Sequence, residues 1–178
     1  MSEKKRILTA CEGTKWMYFA SKPRCEVSLF KSLSAQKILC YLPMVKKTTE
    51  YSRRVYTRMT PMFPGYVFAS VRREDFDIAK VGRYVSRCYF LDDGQSDCLL
   101  RDLITVQKYE TLAQKHKIQV LVNVDVGESV VITKGYFKGE NAIIRRVNAN
   151  HDEVIVQLMT LPMAISVQLP VDFLSKEE

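Results

Sequence analysis

Paired cysteines, clustered histidines and long apolar runs are all missing from this chain of 178 residues. Its five cysteines (Cys11, Cys25, Cys40, Cys88, Cys98) form no CxxC pair, and His116 and His151 stand far from them. This spacing argues against a zinc site and a disulfide framework, and leaves the cysteines as small apolar residues in a reducing compartment. Two isolated histidines give little material for acid and base chemistry. There is no GxxxxGK[ST], GxGxxG or HExxH run, so the phosphate loops and metalloprotease helices of common nucleotide-using or hydrolytic enzymes are lacking. Asp75 and Asp77 beside Arg72 and Arg73 read as the polar face of a short helix rather than a metal-binding carboxylate cluster. No apolar stretch approaches the roughly 18 residues that a membrane helix needs, and Met1 to Arg6 carries no apolar signal core. The expectation is a soluble cytoplasmic protein, not an enzyme, with no cofactor and no metal.

What is present is a mixed composition, 47% apolar and 26% charged, sufficient for one or two cores. The net charge of +7 is unevenly placed. Residues 1–118 hold 22 Lys and Arg against 12 Asp and Glu, whereas residues 119–178 hold 5 against 8. A basic excess confined to the first two-thirds suits a surface that meets phosphates, because each neutralised phosphate releases counterions.

Along the chain, residues 1–14 read as a flexible polar tail. Trp16 to Ala20 is a short aromatic strand, and Val27, Phe30, Leu33 and Ile38 give a helical stripe over about 23–38, with Pro23 in its first turn. Cys40 to Val45 returns to strand composition. Lys46 to Arg58 carries five bases and one acid among Thr and Tyr residues, as an exposed hairpin or loop does. A Pro-Gly turn then launches the apolar strand Tyr66 to Val71, followed by a short helical segment Glu74 to Val81 and a strand Val85 to Leu91. A second helix is expected over about 98–115, capped by Ser96 or Asp97. The fold class is α+β: an N-terminal α/β sandwich with a mainly antiparallel sheet over 15–115, a linker at 116–124, and a small β-barrel over 125–178. The barrel rests on period-two runs at Val130 and Ile132, Ala142 to Arg145, Val154 to Leu158 and Ile165 to Leu169.

Two motifs carry more than local structure. Val126 to Ile144 reads as strand, glycine-bearing turn, strand, with Gly139 where the chain reverses. It resembles the KOW motif that opens small SH3-like barrels, at Gly127, Gly135, Lys138 and Gly139. The second is Met62-Phe63-Pro64-Gly65-Tyr66-Val67-Phe68, with Tyr66 and Phe68 on one strand face. The order of a Trp strand, a basic hairpin, Phe-Pro-Gly-Tyr and a KOW barrel resembles the NusG family of transcription factors over about residues 15–175.

That resemblance implies an apolar patch, here at Phe63, Tyr66 and Phe68, for the clamp helices of the largest RNA polymerase subunit. It also implies a basic edge for the upstream and nontemplate DNA of the transcription bubble, here Lys46, Lys47, Arg53, Arg54, Arg58, Arg72 and Arg73. The ending Ala164 to Leu174 is similar to UpxY-type antiterminators of capsular polysaccharide operons in Bacteroides. Leu161-Pro162-Met163 departs from the Phe-Gly-Arg of the general factor, which sets the barrel's ribosomal contact apart and leaves another protein partner as its implied ligand. The glycines and prolines of the last third oppose an RfaH-like helical refolding of the barrel. Positive regulation is the activity the UpxY resemblance implies, and a monomer is expected because the one apolar surface predicted is taken by the polymerase. The alternative is a KOW-bearing, RNA-binding ribosome or translation factor, against which the acidic last third speaks.

Overall fold

The computed structural model describes residues 8, 9, 12–51, 54–74, 76–112, 118–121, 128–134, 138, 139, 141–146, 151–157, 160, 164–170 and 174–176. Two compact units divide it: Met1–Met44 with Pro61–Ile104, and Val45–Thr60 with Thr105–Glu178.

The first unit is built on β1 (Lys15–Ser21), β2 (Leu39–Tyr41), β5 (Tyr66–Val71) and β6 (Val85–Tyr89). They form an antiparallel sheet in the order β2-β5-β1-β6. Because side chains alternate, Met17 and Phe19 of β1 share one face with Val67, Ala69 and Val71 of β5 and Cys40 of β2. Leu29 and Leu33, four residues apart on α1 (Glu26–Ala35), complete that core.

Helix α1 starts later than Pro23 suggested. Pro23 and Arg24 instead make a turn closed by Cys25 N–H donating to the Lys22 carbonyl at 3.0 Å, with Arg24 at φ 61°. At its other end Ile38 N–H reaches the Leu33 carbonyl (3.2 Å) and Lys37 N–H that of Ser34 (3.0 Å). This is a Schellman arrangement in which Lys37, at φ 60°, takes the left-handed position usually held by glycine.

The short helix expected over 74–81 is reduced to one 3-10 turn, Ile78–Lys80. Its start is held by the Asp77 carboxylate, which accepts from Ala79 N–H at 2.9 Å. Helix α2 (Asp93–Leu112) begins five residues before the expected start, so Ser96 and Asp97 lie inside it rather than capping it. The cap is a reciprocal pair: Asp92 Oδ1 accepts from Gln95 N–H (2.8 Å) and Gln95 Oε1 from Asp92 N–H (3.3 Å). Ser96 is used otherwise, its hydroxyl accepting from Trp16 N–H at 2.8 Å.

The tail expected over 1–14 is anchored where it is described, Leu8 being buried and the Thr9 carbonyl accepting from the Trp16 indole at 3.0 Å. Residues 1–7, 10 and 11 lie outside the described set.

In the second unit, β3 (Met44–Tyr51) and β4 (Arg54–Pro61) pair alone as a two-stranded hairpin. Six further strands, β7 (Ile118–Leu121), β8 (Glu128–Ile132), β9 (Asn141–Arg146), β10 (His151–Gln157), β11 (Ala164–Pro170) and β12 (Leu174–Lys176), form an antiparallel sheet ordered β12-β8-β9-β10-β11-β7. Strand β7 falls where a linker was expected and pairs with β11, Ile118 standing opposite Val167. Val130, Ile132, Ala142 and Ile165 are buried, as their alternation requires.

Candidate functional site

The Phe63-Pro64-Gly65-Tyr66 run is a tight turn with a physical reason for every residue. Tyr66 N–H donates to the Phe63 carbonyl (3.1 Å), Pro64 supplies a fixed φ, and Gly65 sits at φ 87°, the pattern of a type II turn. Gly65 is held twice more, its N–H donating to Glu26 Oε1 (2.8 Å) and its carbonyl accepting from Ser21 N–H (2.8 Å). The start of α1, the end of β1 and the start of β5 are thereby tied together.

This turn corrects the expected aromatic patch. Phe63 and Phe68 are both fully buried and meet edge to face at 6.0 Å. β5 is an inner strand, so Phe68 lies opposite Tyr18 on one neighbour and Tyr41 on the other, and the turn folds Phe63 back onto it. Both rings are supports beneath the surface. Tyr66 alone of the three expected residues reaches it, half-buried.

Two residues the sequence reading missed join Tyr66. Tyr18 on β1 lies opposite Tyr89 on β6, and their rings stack at 4.5 Å; Tyr66 meets Tyr18 at 5.9 Å, tilted by 56°. Arg87 lies over the Tyr89 ring at 5.9 Å. The result is an aromatic strip across three strands with a cation at its rim. Partial burial, and then the neighbouring phenols of Tyr89 and Tyr66, push the Tyr18 phenol above its ordinary value. The alternation of Trp16 with Tyr18 was a signal for this face; the pairing with Tyr89 needed the strand order.

The basic residues fall in two places, the β3–β4 hairpin and the stretch after β5. Lys46 and Lys47 on β3 and Arg54 and Arg58 on β4 are all exposed, and among the described residues no ion pair engages them. Arg53 lies outside the described residues. Arg72 and Arg73 follow β5 and line a cavity of about 270 Å³ with Gly13, Lys15 and Phe90. There Arg72 Nε donates to the Gly13 carbonyl (3.4 Å) and Arg73 lies 5.0 Å from the Phe90 ring centroid. Lys15 is paired with Asp93 at 2.6 Å.

Of the KOW-like positions, Gly127 and Gly135 lie outside the described residues. Lys138 and Gly139 form an exposed turn, Gly139 at φ 90° with its N–H donating to the Ile132 carbonyl at 2.7 Å. Among the described residues no group of three or more His, Cys, Asp and Glu side chains could hold a metal ion. No described helix is long and apolar enough to cross a membrane.

The profile of the family described as "Transcription termination factor nusG" matches residues 14–103. The chain belongs to the NusG family. Among curated proteins it is similar to transcription elongation factor Spt5 of Methanocaldococcus jannaschii, 35% identical over 69 residues, which is 39% of this chain and 46% of that protein. The match thus spans about half the length of that relative. The solved structure of Thermotoga maritima NusG matches 93% of this chain and 98% of its own, with TM-score 0.50 and 20% identity, a likeness of fold. The first unit is accordingly the NusG-type α/β domain with an antiparallel sheet and two helices, in a family of transcription elongation factors.

Proposed function

We propose that this chain is a non-enzymatic antitermination factor that binds the clamp helices of bacterial RNA polymerase and the upstream DNA of the transcription bubble. The single observation that carries it is the Tyr18–Tyr66–Tyr89 strip on a NusG-family domain whose Phe63 and Phe68 are fully buried. Aromatic residues with a polar tip supply contact area at low entropic cost and concentrate where interfaces are strongest. Lys46, Lys47, Arg54 and Arg58, with Arg72 and Arg73, supply the phosphate contacts.

Such a factor works by differential binding. If it holds the closed, elongating clamp more tightly than the paused one, it shifts the population toward elongation by that ratio of affinities. The UpxY-like ending at Ala164 to Leu174 supports a specialised role on a polysaccharide biosynthesis operon. The last strands are read as a KOW-type SH3-like barrel, free to engage a second protein.

The test is single-round transcription by the cognate polymerase on a template carrying the operon's leader and a terminator. Read-through should rise with the protein present and fall back with Tyr18→Ala. Unchanged termination, with no co-elution with polymerase, sinks the proposal and returns attention to the ribosome.

A further inference from the structure

Strands β5 and β6 both run antiparallel to β1, so the start of β1 and the ends of β5 and β6 meet at one edge of the sheet. The cavity of about 270 Å³ lies there. Met17 and Val71, both buried, give it an apolar floor, and Arg72, Arg73, Glu74 and Phe90, all exposed, stand around it. Arg72 is laid against the backbone: its Nε donates to the Gly13 carbonyl at 3.4 Å, and a Cβ on Gly13, which sits at φ 73°, would come within 2.9 Å of Arg72 Nη2. Glycine is what leaves that guanidinium in place. Arg73 lies 5.0 Å from the Phe90 ring centroid, and among the described residues no ion pair engages it. The Phe90 ring is 42% exposed, a large apolar surface left in water beside a cation.

We propose that this cavity binds a free nucleoside monophosphate, with the base against the Phe90 ring and the phosphate on Arg72 and Arg73. Each part of such a ligand has a counterpart in the lining. A guanidinium presents a planar fork of N–H donors to two phosphate oxygens at once, and can do so while its face rests on an aromatic ring. A base of any identity stacks on an exposed ring, over the apolar floor of Met17 and Val71. Glu74, the one acid among the described lining residues, is an acceptor for a ribose hydroxyl or an exocyclic amine, groups that inorganic phosphate lacks. The volume falls at the small end of ligand sites, which run from about 300 to 1,000 Å³, and so suits one nucleotide rather than a length of strand. Arg72 and Arg73 belong to the first unit, whereas Lys46, Lys47, Arg54 and Arg58 belong to the second. A nucleotide in the cavity therefore withdraws the first pair from DNA phosphates and leaves the hairpin cations in use, tuning the contact without abolishing it. That tuning rests on the nucleic-acid contacts proposed above; the site itself does not.

The experiment is isothermal titration calorimetry of the full chain with AMP, GMP, CMP and UMP, and with adenosine and inorganic phosphate as the separate halves. At least one monophosphate should bind about tenfold more tightly than either half. Phe90→Ala should weaken that nucleotide about tenfold and leave inorganic phosphate unchanged, while Phe90→Tyr, which keeps the ring, stays within about twofold of the parent. Arg73→Gln should weaken nucleotide and inorganic phosphate alike, by about tenfold. Both side chains are exposed, and circular dichroism of each variant checks that the fold is kept. Absence of binding by all four nucleotides up to about 1 mM overturns the proposal, as does binding that Phe90→Ala and Arg73→Gln both leave unchanged. A single strand of about 6 nucleotides that binds where every monophosphate fails also overturns it, because the cavity then belongs to a strand-binding face. Loss of polymerase co-elution in Arg73→Gln, with no nucleotide bound by the parent, overturns it in favour of a protein contact. Nucleotide binding with the expected Phe90 and Arg73 dependence, in a chain that does not co-elute with polymerase, supports the site and removes the clamp reading alone.

Discussion

Strands β4 and β5 are separated by only four residues, yet five of the six residues of β5 are buried and none of the eight on β4 is. β5 has a partner on each edge and sends Val67, Ala69 and Val71 toward α1 and Phe68 and Ser70 to the other side. Among the described residues β4 has one partner, β3. A two-stranded hairpin by itself is marginal in water, so the rings and cations of β3 and β4 contribute little to stability, whereas those of β5 hold the sheet together. Stability is thus concentrated in one of two neighbouring stretches of the chain.

The largest test of that division sets Phe68→Ala against Tyr56→Ala. Removing the buried Phe68 ring should cost about 3–5 kcal/mol, whereas Tyr56→Ala should stay within about 0.5 kcal/mol of the parent. Trp16 is the sole tryptophan and lies buried in the sheet, so its fluorescence during urea unfolding reports on the first unit. A comparable cost for the two variants would break the comparison, because β4 would then be holding structure.

A smaller pair of effects, of opposite sign, sharpens the account of how β5 is launched. Gly65 is at φ 87° with nothing within 4 Å of the place a Cβ would occupy, so Gly65→Ala meets no clash and pays only the backbone cost, about 1–2 kcal/mol. Lys37 already bears such a strain at φ 60°, and Lys37→Gly should gain up to about 1 kcal/mol. If Gly65→Ala were neutral, the type II turn would not be what fixes Phe63 against Phe68.

Much of this arrangement was legible in the residues. Trp16 to Ala20 and Tyr66 to Val71 announced strands and Pro64-Gly65 a turn. Of the expected helical stripe Val27, Phe30, Leu33 and Ile38, only Leu33 is buried, Val27 is exposed, and Leu29 takes the other buried place on α1. The polar first turn of α2 hid its start, since Asp92, Asp93, Gly94 and Gln95 look like loop until the mutual cap of Asp92 and Gln95 is seen. Of the hairpin or loop expected over Lys46 to Arg58, the structure takes the hairpin, β3 with β4. The aromatic surface was misread for a different reason. Alternation assigns Phe68 to a face but cannot say that its strand is an inner one, which is what buries it. Tyr18, one residue pair away across the sheet, stands where Tyr89 can reach it, and that juxtaposition exists only in the order β2-β5-β1-β6.

The smallest effect probes the character of the tyrosine strip itself. Because burial and the flanking phenols raise the Tyr18 pKa, the folded protein holds that proton more tightly than the unfolded chain. Its contribution to stability is therefore complete below the ordinary phenol value of about 10 and is lost as pH rises through the folded value. Titration followed by NMR of tyrosine labelled at Cζ should show Tyr18 ionising above free tyrosine. Tyr89→Phe should bring it part of the way down, since it removes a charge but leaves the larger cause, burial, in place. A Tyr18 that ionises like free tyrosine would mean that water fills the strip, and the docking surface would then have to be sought away from this sheet. Under the proposed docking, a protonated Tyr18 within the strip would let a partner helix be met by ring faces and one directed hydrogen bond without the cost of burying a charge.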